Sequence, residues 1–160
     1  MAPTLRSYEP HDFAALHKLD QSCFLPGISY SKVTLRYFLT LACADCVVAV
    51  EKDHIVGFIL SEESPPLAHI ITLDVEKQHR RRGVGTALLR QLEENLAFRG
   101  VRSILLETAT NNDAAVAFWK QHGYRIATTL KRYYLRQFDA YEMQKILPSA
   151  TQAGPAKKEP

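Results

Sequence analysis

Three arginines and two glycines stand directly before the most regular predicted helix of the chain. This segment, residues 75–87, reads VEKQHRRRGVGTA. Gly83 and Gly85 let the backbone approach a ligand closely, and the first-turn amides of the following helix have no partner inside that helix. Positive side chains add to the potential of this helix end, namely Arg80, Arg81 and Arg82. The segment therefore predicts a site for a phosphate ligand.

The segment lacks the motifs of two common classes of phosphate-binding site. It has no Gly-Lys-Ser/Thr of a P-loop, and the first glycine of the dinucleotide fingerprint is missing. An arginine run is by itself usually a solvated surface, and only its position before Gly83 and Gly85 favours anion binding. His79 could add a further donor near the phosphate.

Two other residues could carry acid–base chemistry. Glu107 ends the apolar stretch Ile104-Leu-Leu106, and a carboxylate there is either a general base or part of a structural salt bridge or backbone clamp. His69 interrupts the apolar run LAHII and is either a proton carrier, acting directly or through water, or a hydrogen-bonded structural residue.

The elements that must position these residues alternate between strand and helix patterns. Asp12 and Ser31 are the expected caps of the first two helices. The apolar residues of residues 84–96 recur every four positions, which predicts a long helix that Gly100 ends. The expected strands are residues 4–8, 46–50, 55–60, 67–75, 102–108, 124–131 and 139–147, with an irregular segment at 132–138. A further helix at about 112–122 makes a crossover, so the order β-α-α-β-β-β-α-β-α-β-β predicts one α/β domain with a parallel pair.

Composition excludes several classes of protein. The chain has 160 residues, 46% of them hydrophobic, which suits one soluble domain. A net charge of +3 is too small to indicate nucleic acid or an anionic membrane. No apolar stretch is long enough for a membrane span, and no export signal is present, so we expect a cytoplasmic protein. We expect reduced thiols and no metal site from Cys23, Cys43 and Cys46, and a disordered polar tail at 148–160.

The stretch Arg80-Arg-Arg-Gly-Val-Gly85 matches the [Q/R]-x-x-G-x-[G/A] acetyl-CoA motif, and the chain resembles the GCN5-related N-acetyltransferase (GNAT) superfamily. Glu107 followed by Asn112, and a helix ending His122-Gly-Tyr124, resemble later segments of that fold. Residues 26–30 and 131–134 resemble the peptide-binding loops of protein N-terminal and ribosomal-protein-alanine acetyltransferases. The resemblance implies one domain over residues 4–147, with a mostly antiparallel sheet of about seven strands, helices on both faces, and strands 4 and 5 splayed apart.

The resemblance also implies roles for individual residues. The expected acetyl-CoA contacts are Leu73, Val75, Arg80, Arg81, Arg82, Gly83, Val84, Gly85, Thr86, Asn112 and Trp119. The expected catalytic residues are Glu107, as first choice of base, His69 and Tyr134. The expected acceptor contacts are Tyr30, Ile71, Tyr133 and Tyr134. Trp119 stands where many relatives have a tyrosine that acts as general acid, and indole cannot do so. Either the thiolate leaves without a proton from a side chain, helped by a helix N-terminus, or Tyr133 or Tyr134 is the substitute.

The implied reaction is direct transfer of an acetyl group from acetyl-CoA to a primary amine. A protein α-amino group, with a pKa of about 7.7 to 8, loses its proton more readily than a Lys side chain at about 10.4, so an N-terminus is the expected acceptor. A small amine, a Lys side chain, or a CoA-binding module without turnover are the alternatives. We expect no nucleic acid or membrane partner, and a monomer or homodimer.

Overall fold

The computed structural model describes residues 2–148, which form two compact units. The first unit comprises residues 2–63 and 70–96, and the second comprises residues 64–69 and 97–148. In chain order the elements are β1 (Thr4–Ser7), α1 (Phe13–Cys23), α2 (Lys32–Leu39), β2 (Ala44–Glu51), β3 (His54–Ser64), β4 (Leu67–Val75), α3 (Val84–Phe98), β5 (Ser103–Ala109), α4 (Asp113–Gln121), β6 (Arg125–Tyr134) and β7 (Phe138–Ile146).

The first unit is built on antiparallel strands, with β1 paired to β2 and β2 paired to β3. Its core joins both early helices to this sheet, because Leu16 of α1 and Leu35 of α2 pack in one buried cluster with Phe58 of β3. The four-residue repeat of α3 is buried at every position, at Val84, Leu88, Leu92 and Leu96. The predicted helix after Gly83 is thereby confirmed.

The expected caps of the first two helices differ in outcome. Ser31 caps α2, since its hydroxyl accepts from the Thr34 amide at 3.1 Å. Asp12 precedes α1 but does not cap it with its side chain. Its carboxylate instead accepts from the Arg6 guanidinium at 2.8 Å and from the Glu9 amide at 2.8 Å. Asp12 therefore ties β1 to the short 3-10 turn before α1, and the Arg6 hydrogen bond lowers the pKa of this buried carboxyl.

In the second unit, β5 pairs antiparallel with β7, and β7 pairs with β6. The irregular segment expected at 132–138 is shorter than predicted, because β6 continues to Tyr134 and a turn at residues 135–137 leads into β7 at Phe138. A register shift between Leu130 and Tyr134 makes this continuation possible, and the carboxylate of Asp139 accepts from the backbone amide of Arg132 at 3.0 Å. Tyr134 is thus a strand residue, paired with Phe138.

The parallel pairing of β4 with β5 confirms the expected crossover. Its register comprises three pairs in the described part of the chain, from Leu67 with Ser103 to His69 with Leu105. The strand order β1-β2-β3-β4-β5-β7-β6 gives a seven-stranded, mostly antiparallel sheet, and the predicted α/β fold class is confirmed. Among residues 2–148, no helix is long and apolar enough to cross a bilayer. The predicted disordered tail lies almost entirely outside the described residues.

Candidate active site

His69 and Glu107 form a hydrogen-bonded pair in the second unit. The parallel register sets His69 beside Leu105, and Glu107 follows two residues later on the same face of β5. The Nε2 atom of His69 lies 2.8 Å from the Oε1 atom of Glu107. The side chains are 35% and 17% exposed, so the pair is shielded but remains open to solvent. A carboxylate and an imidazole in this contact can accept and pass on a proton.

Tyr133 joins this pair from β6. Burial raises the pKa of its phenol, and the charge of Glu107 and a hydrogen bond with that carboxylate raise it further. The phenol therefore stays protonated and donates to Glu107. The rings of Tyr133 and Tyr134 meet edge to face, with centroids 4.9 Å apart. The structure thus brings three predicted site residues together, with Tyr134 beside them.

Glu142 is a neighbour of this cluster that the sequence analysis missed. It lies on β7 directly opposite Glu107 in the antiparallel register, and its charge also raises the pKa of Tyr133. Two carboxylates at paired positions give this face a negative potential, which favours a cationic ammonium group. The sequence around Glu142 does not mark it as a site residue, because only the strand register shows that it faces Glu107.

Asn112 and Trp119 lie on α4 of the second unit. The Oδ1 atom of Asn112 accepts from the Ala115 amide at 3.2 Å, so Asn112 caps this helix. Trp119 is buried and packs edge to face on Tyr124, with ring centroids 5.2 Å apart. Its indole therefore supports the core of this unit. The expected contacts of both residues with acetyl-CoA remain predictions.

The glycine-rich segment of the first unit has the shape that a phosphate cradle needs. Gly83 has a φ of +87°, and a Cβ placed there would meet no atom within 4 Å, so the backbone faces open space. Arg81 and Arg82 are exposed, and α3 begins at Val84. The Ala87 amide donates to the Gly83 carbonyl at 3.0 Å, so Gly83 stands at the start of the first turn of α3, where helix amides point out of the helix end. These residues fit the pyrophosphate of acetyl-CoA.

Arg80 and His79 are less free than the sequence suggests. The Arg80 guanidinium donates to the Val75 carbonyl at 2.9 Å and to the Cys23 sulfur at 3.4 Å. The ring nitrogens of His79 face carboxylates, with Glu76 at 2.8 Å and Glu51 at 3.1 Å. His79 therefore anchors the turn before the cradle, and its role as a further donor near the phosphate remains a prediction.

The expected acceptor residues of the first unit contact each other. The Tyr30 hydroxyl donates to the Ile71 carbonyl at 3.4 Å, and the Tyr30 ring meets Phe38 of α2 edge to face at 5.7 Å. Along β4 the side chains alternate between buried and half-buried, and Ile71, Leu73 and Val75 are all half-buried. Leu73 and Val75 thus share a face with Ile71, as a strand that presents one side to a ligand requires.

Three comparisons with known proteins agree on one family. The sequence profile described as the acetyltransferase (GNAT) family matches residues 13–124. N-alpha-acetyltransferase 30 of Schizosaccharomyces pombe is 30% identical over 117 residues, which are 70% of this chain and 78% of that protein. An uncharacterized N-acetyltransferase of Methanocaldococcus jannaschii is 32% identical over 150 residues, 91% of this chain and 93% of that protein.

A solved structure extends this similarity to the fold. The crystal structure of the ribosomal-protein-S18-alanine N-acetyltransferase from Escherichia coli superposes with a TM-score of 0.85 at 25% identity. The match covers 92% of this chain and 95% of that chain. The expected cytoplasmic location, oligomeric state, absence of a metal, and lack of nucleic acid or membrane partners remain predictions.

Proposed function

The chain belongs to the acetyltransferase (GNAT) family, and on that premise we propose that it acetylates protein or peptide N-termini. The observation that carries this proposal is the hydrogen bond between His69 and Glu107, with the Tyr133 phenol on the same carboxylate. Relatives named for N-terminal and ribosomal-protein-alanine acetylation support the choice of acceptor. Residues 4–147 are the proposed catalytic domain.

The acyl donor is acetyl-CoA, which when bound supplies the acetyl group as an activated thioester. We assign its pyrophosphate to the backbone amides of Gly83, Val84, Gly85 and Thr86, with Arg81 and Arg82 neutralising charge. Arg80 keeps this segment close to β4 through its bond to the Val75 carbonyl. Leu73, Val75, Asn112 and Trp119 are the further proposed contacts.

Glu107 is the proposed general base. At a pH below its pKa, a protein N-terminus is mostly an ammonium group. The negative face formed by Glu107 and Glu142 attracts this cation. The Glu107 carboxylate accepts the ammonium proton, directly or through one water, and leaves the amine neutral for attack. His69 fixes the Oε1 atom by donating its Nε2 proton, and the proton that Glu107 accepts is returned to solvent, to which both side chains are partly open.

The two tyrosines take different roles. The phenolic proton of Tyr133 is committed to Glu107, so Tyr133 orients the base and lines the acceptor site. Tyr134 is the proposed general acid that protonates the leaving thiolate of CoA. The indole of Trp119 cannot take this role. Tyr30 and Ile71 are proposed to bind the backbone of the acceptor peptide.

Release of free CoA thiol from acetyl-CoA tests this function. The acceptor panel holds peptides with different first residues, the same peptides with a blocked N-terminus and an internal Lys, and polyamines. We expect turnover with the unblocked peptides alone. Turnover with blocked Lys peptides or polyamines would move the acceptor to a side chain or a small amine. Binding of acetyl-CoA with no turnover on any acceptor would indicate a binding module.

A further inference from the structure

Two buried carboxyl groups, neither of them assigned a role above, lie in the core of the first unit. Asp20 of α1 is 0% exposed and Asp74 of β4 is 1% exposed. The two carboxyl groups lie close enough to interact, since after burial it is Asp20 that most raises the pKa of Asp74. Two ionised carboxylates could only repel each other here, because both are acceptors only, whereas a proton on one of them would let it donate to the other.

The remaining contacts of the pair lead to an expected acceptor residue. The Oδ2 atom of Asp20 accepts from the Tyr30 backbone amide at 2.6 Å, and Asp74 accepts from the Thr72 hydroxyl. One oxygen of each carboxyl, Oδ1 of Asp20 and Oδ2 of Asp74, is buried and has no hydrogen-bond partner. A single proton between the carboxyls removes both deficits at once.

We propose that Asp20 and Asp74 are a proton-sharing carboxyl pair that positions Tyr30 to receive the acceptor peptide. This inference rests on the proposed function, in which Tyr30 binds the acceptor. Tyr30 is held from both ends, because its amide is fixed by Asp20 while its hydroxyl donates to the Ile71 carbonyl of the same strand as Asp74. Asp20 and Asp74 are positioning residues that act through Tyr30.

The backbone of Asp74 packs closely against the neighbouring strand β3. A Cβ at Gly57 of β3 would lie 2.9 Å from the Asp74 carbonyl oxygen, so the two strands approach more closely than any larger residue allows. Asp74 also lies between Leu73 and Val75, both assigned to acetyl-CoA. A change in the protonation of the pair is therefore transmitted to Tyr30 while β4 keeps its position.

The pair depends on pH in one direction. Burial raises the pKa of Asp74 well above its usual range, and the neighbouring carboxyl of Asp20 raises it further. The other groups that act electrostatically on Asp74, or on which its charge acts, are Cys23 of α1, Cys46 of β2 and Arg80 before α3. Arg80 is the cation among them, and it is exposed and bound to Val75. The shared proton is therefore present at low pH and lost as pH rises, when two buried charges repel.

An amide in place of one carboxyl separates this role from a structural one. In Asp74→Asn the side-chain amide donates permanently to Asp20 and still accepts from Thr72. We expect the ratio of kcat/KM for a peptide, variant over wild type, to be near one at about pH 5 and to rise about fivefold by about pH 9. The acceptor amine, Glu107 and His69 are the same in both measurements, so their own dependence on pH does not change the ratio. A ratio that stays constant with pH would overturn the proposal.

A second measurement needs no acceptor and separates this proposal from the proposed function. Hydrogen exchange at the Tyr30 amide, expressed as a protection factor, should fall with rising pH in the wild type and stay constant in Asp74→Asn. Equal protection at all pH values in the wild type contradicts the pair, whether or not a peptide is turned over. If Asp74→Asn does not fold, Asp20→Asn serves equally, because its oxygen accepts from Tyr30 and its amide donates to Asp74.

Discussion

The imidazole of His69 and the carboxylate of Glu107 are joined by a 2.8 Å contact between Nε2 and Oε1, although 38 residues separate them in the chain. The parallel register of β4 and β5 makes this contact, since it sets His69 beside Leu105 and leaves Glu107 one step further along the same face. The contact gives the base an orienting partner.

Glu107→Gln removes the proposed base while keeping its shape. We expect turnover to fall by about 10²- to 10³-fold, because an amide cannot accept the ammonium proton. Binding of CoA, measured by calorimetric titration, should be unchanged. His69→Gln is the matched control, and about a tenfold loss is expected since the carboxylate remains. A Glu107→Gln enzyme with wild-type turnover would remove Glu107 from the chemistry.

Tyr133→Phe and Tyr134→Phe test the division of labour between adjacent tyrosines. Tyr134→Phe should lower kcat by about 10²-fold if Tyr134 is the general acid. Tyr133→Phe should lower it about tenfold, because one hydrogen bond to the Glu107 carboxylate is lost. Both variants keep the ring, so folding is a shared control. A larger loss in Tyr133→Phe would exchange the two roles.

Gly85→Glu places a carboxylate in the first turn of α3. Repulsion of phosphate and a blocked backbone should weaken acetyl-CoA binding at least about a hundredfold, as measured by calorimetric titration. Phe98→Glu carries the same charge at the far end of the same helix, where the side chain is 89% exposed, and should bind normally. Equal affinity in the two variants would place the phosphates elsewhere.

Asp12→Asn tests the ion pair that ties β1 to the turn before α1. The hydrogen bond from Arg6 lowers the pKa of Asp12 below the usual value of an aspartate. The ion pair therefore stabilises the fold fully above that usual value, and the stabilisation is lost as the pH falls through the lowered pKa. Urea unfolding at about pH 7 should show a loss of about 1 to 3 kcal/mol. The difference from wild type should shrink toward about pH 3.

The control for that comparison is Asp53→Asn, since Asp53 is an exposed turn residue. It should unfold like the wild type at both pH values. A constant difference between Asp12→Asn and wild type across the same range would show that the ion pair does not set the pH dependence.

Much of the fold follows from patterns within single segments. The repeat of Val84, Leu88, Leu92 and Leu96 predicted α3 because a helix of this period buries one stripe. The length of β6 did not follow, because its end depends on the backbone amide of Arg132 meeting a carboxylate seven residues later. Local propensity carries no information on such a contact.

The site divides in the same way. Glu107 and His69 stand out in sequence as polar residues within apolar strands, so each could be named as a candidate. Their contact, and the place of Glu142 opposite Glu107, come from strand register, which the sequence does not specify. Asp20 and Asp74 could not be identified from the sequence for a related reason, because the sequence does not show which acidic residues are buried.

The most direct test of the proposed function uses one peptide that carries both a free α-amino group and an internal Lys. After incubation with the protein and acetyl-CoA, tandem mass spectrometry locates the acetyl group. The account predicts acetylation of the α-amino nitrogen, with the Lys side chain unmodified, and loss of the product with Glu107→Gln. Acetylation of the Lys side chain alone would contradict the claim that this chain modifies N-termini.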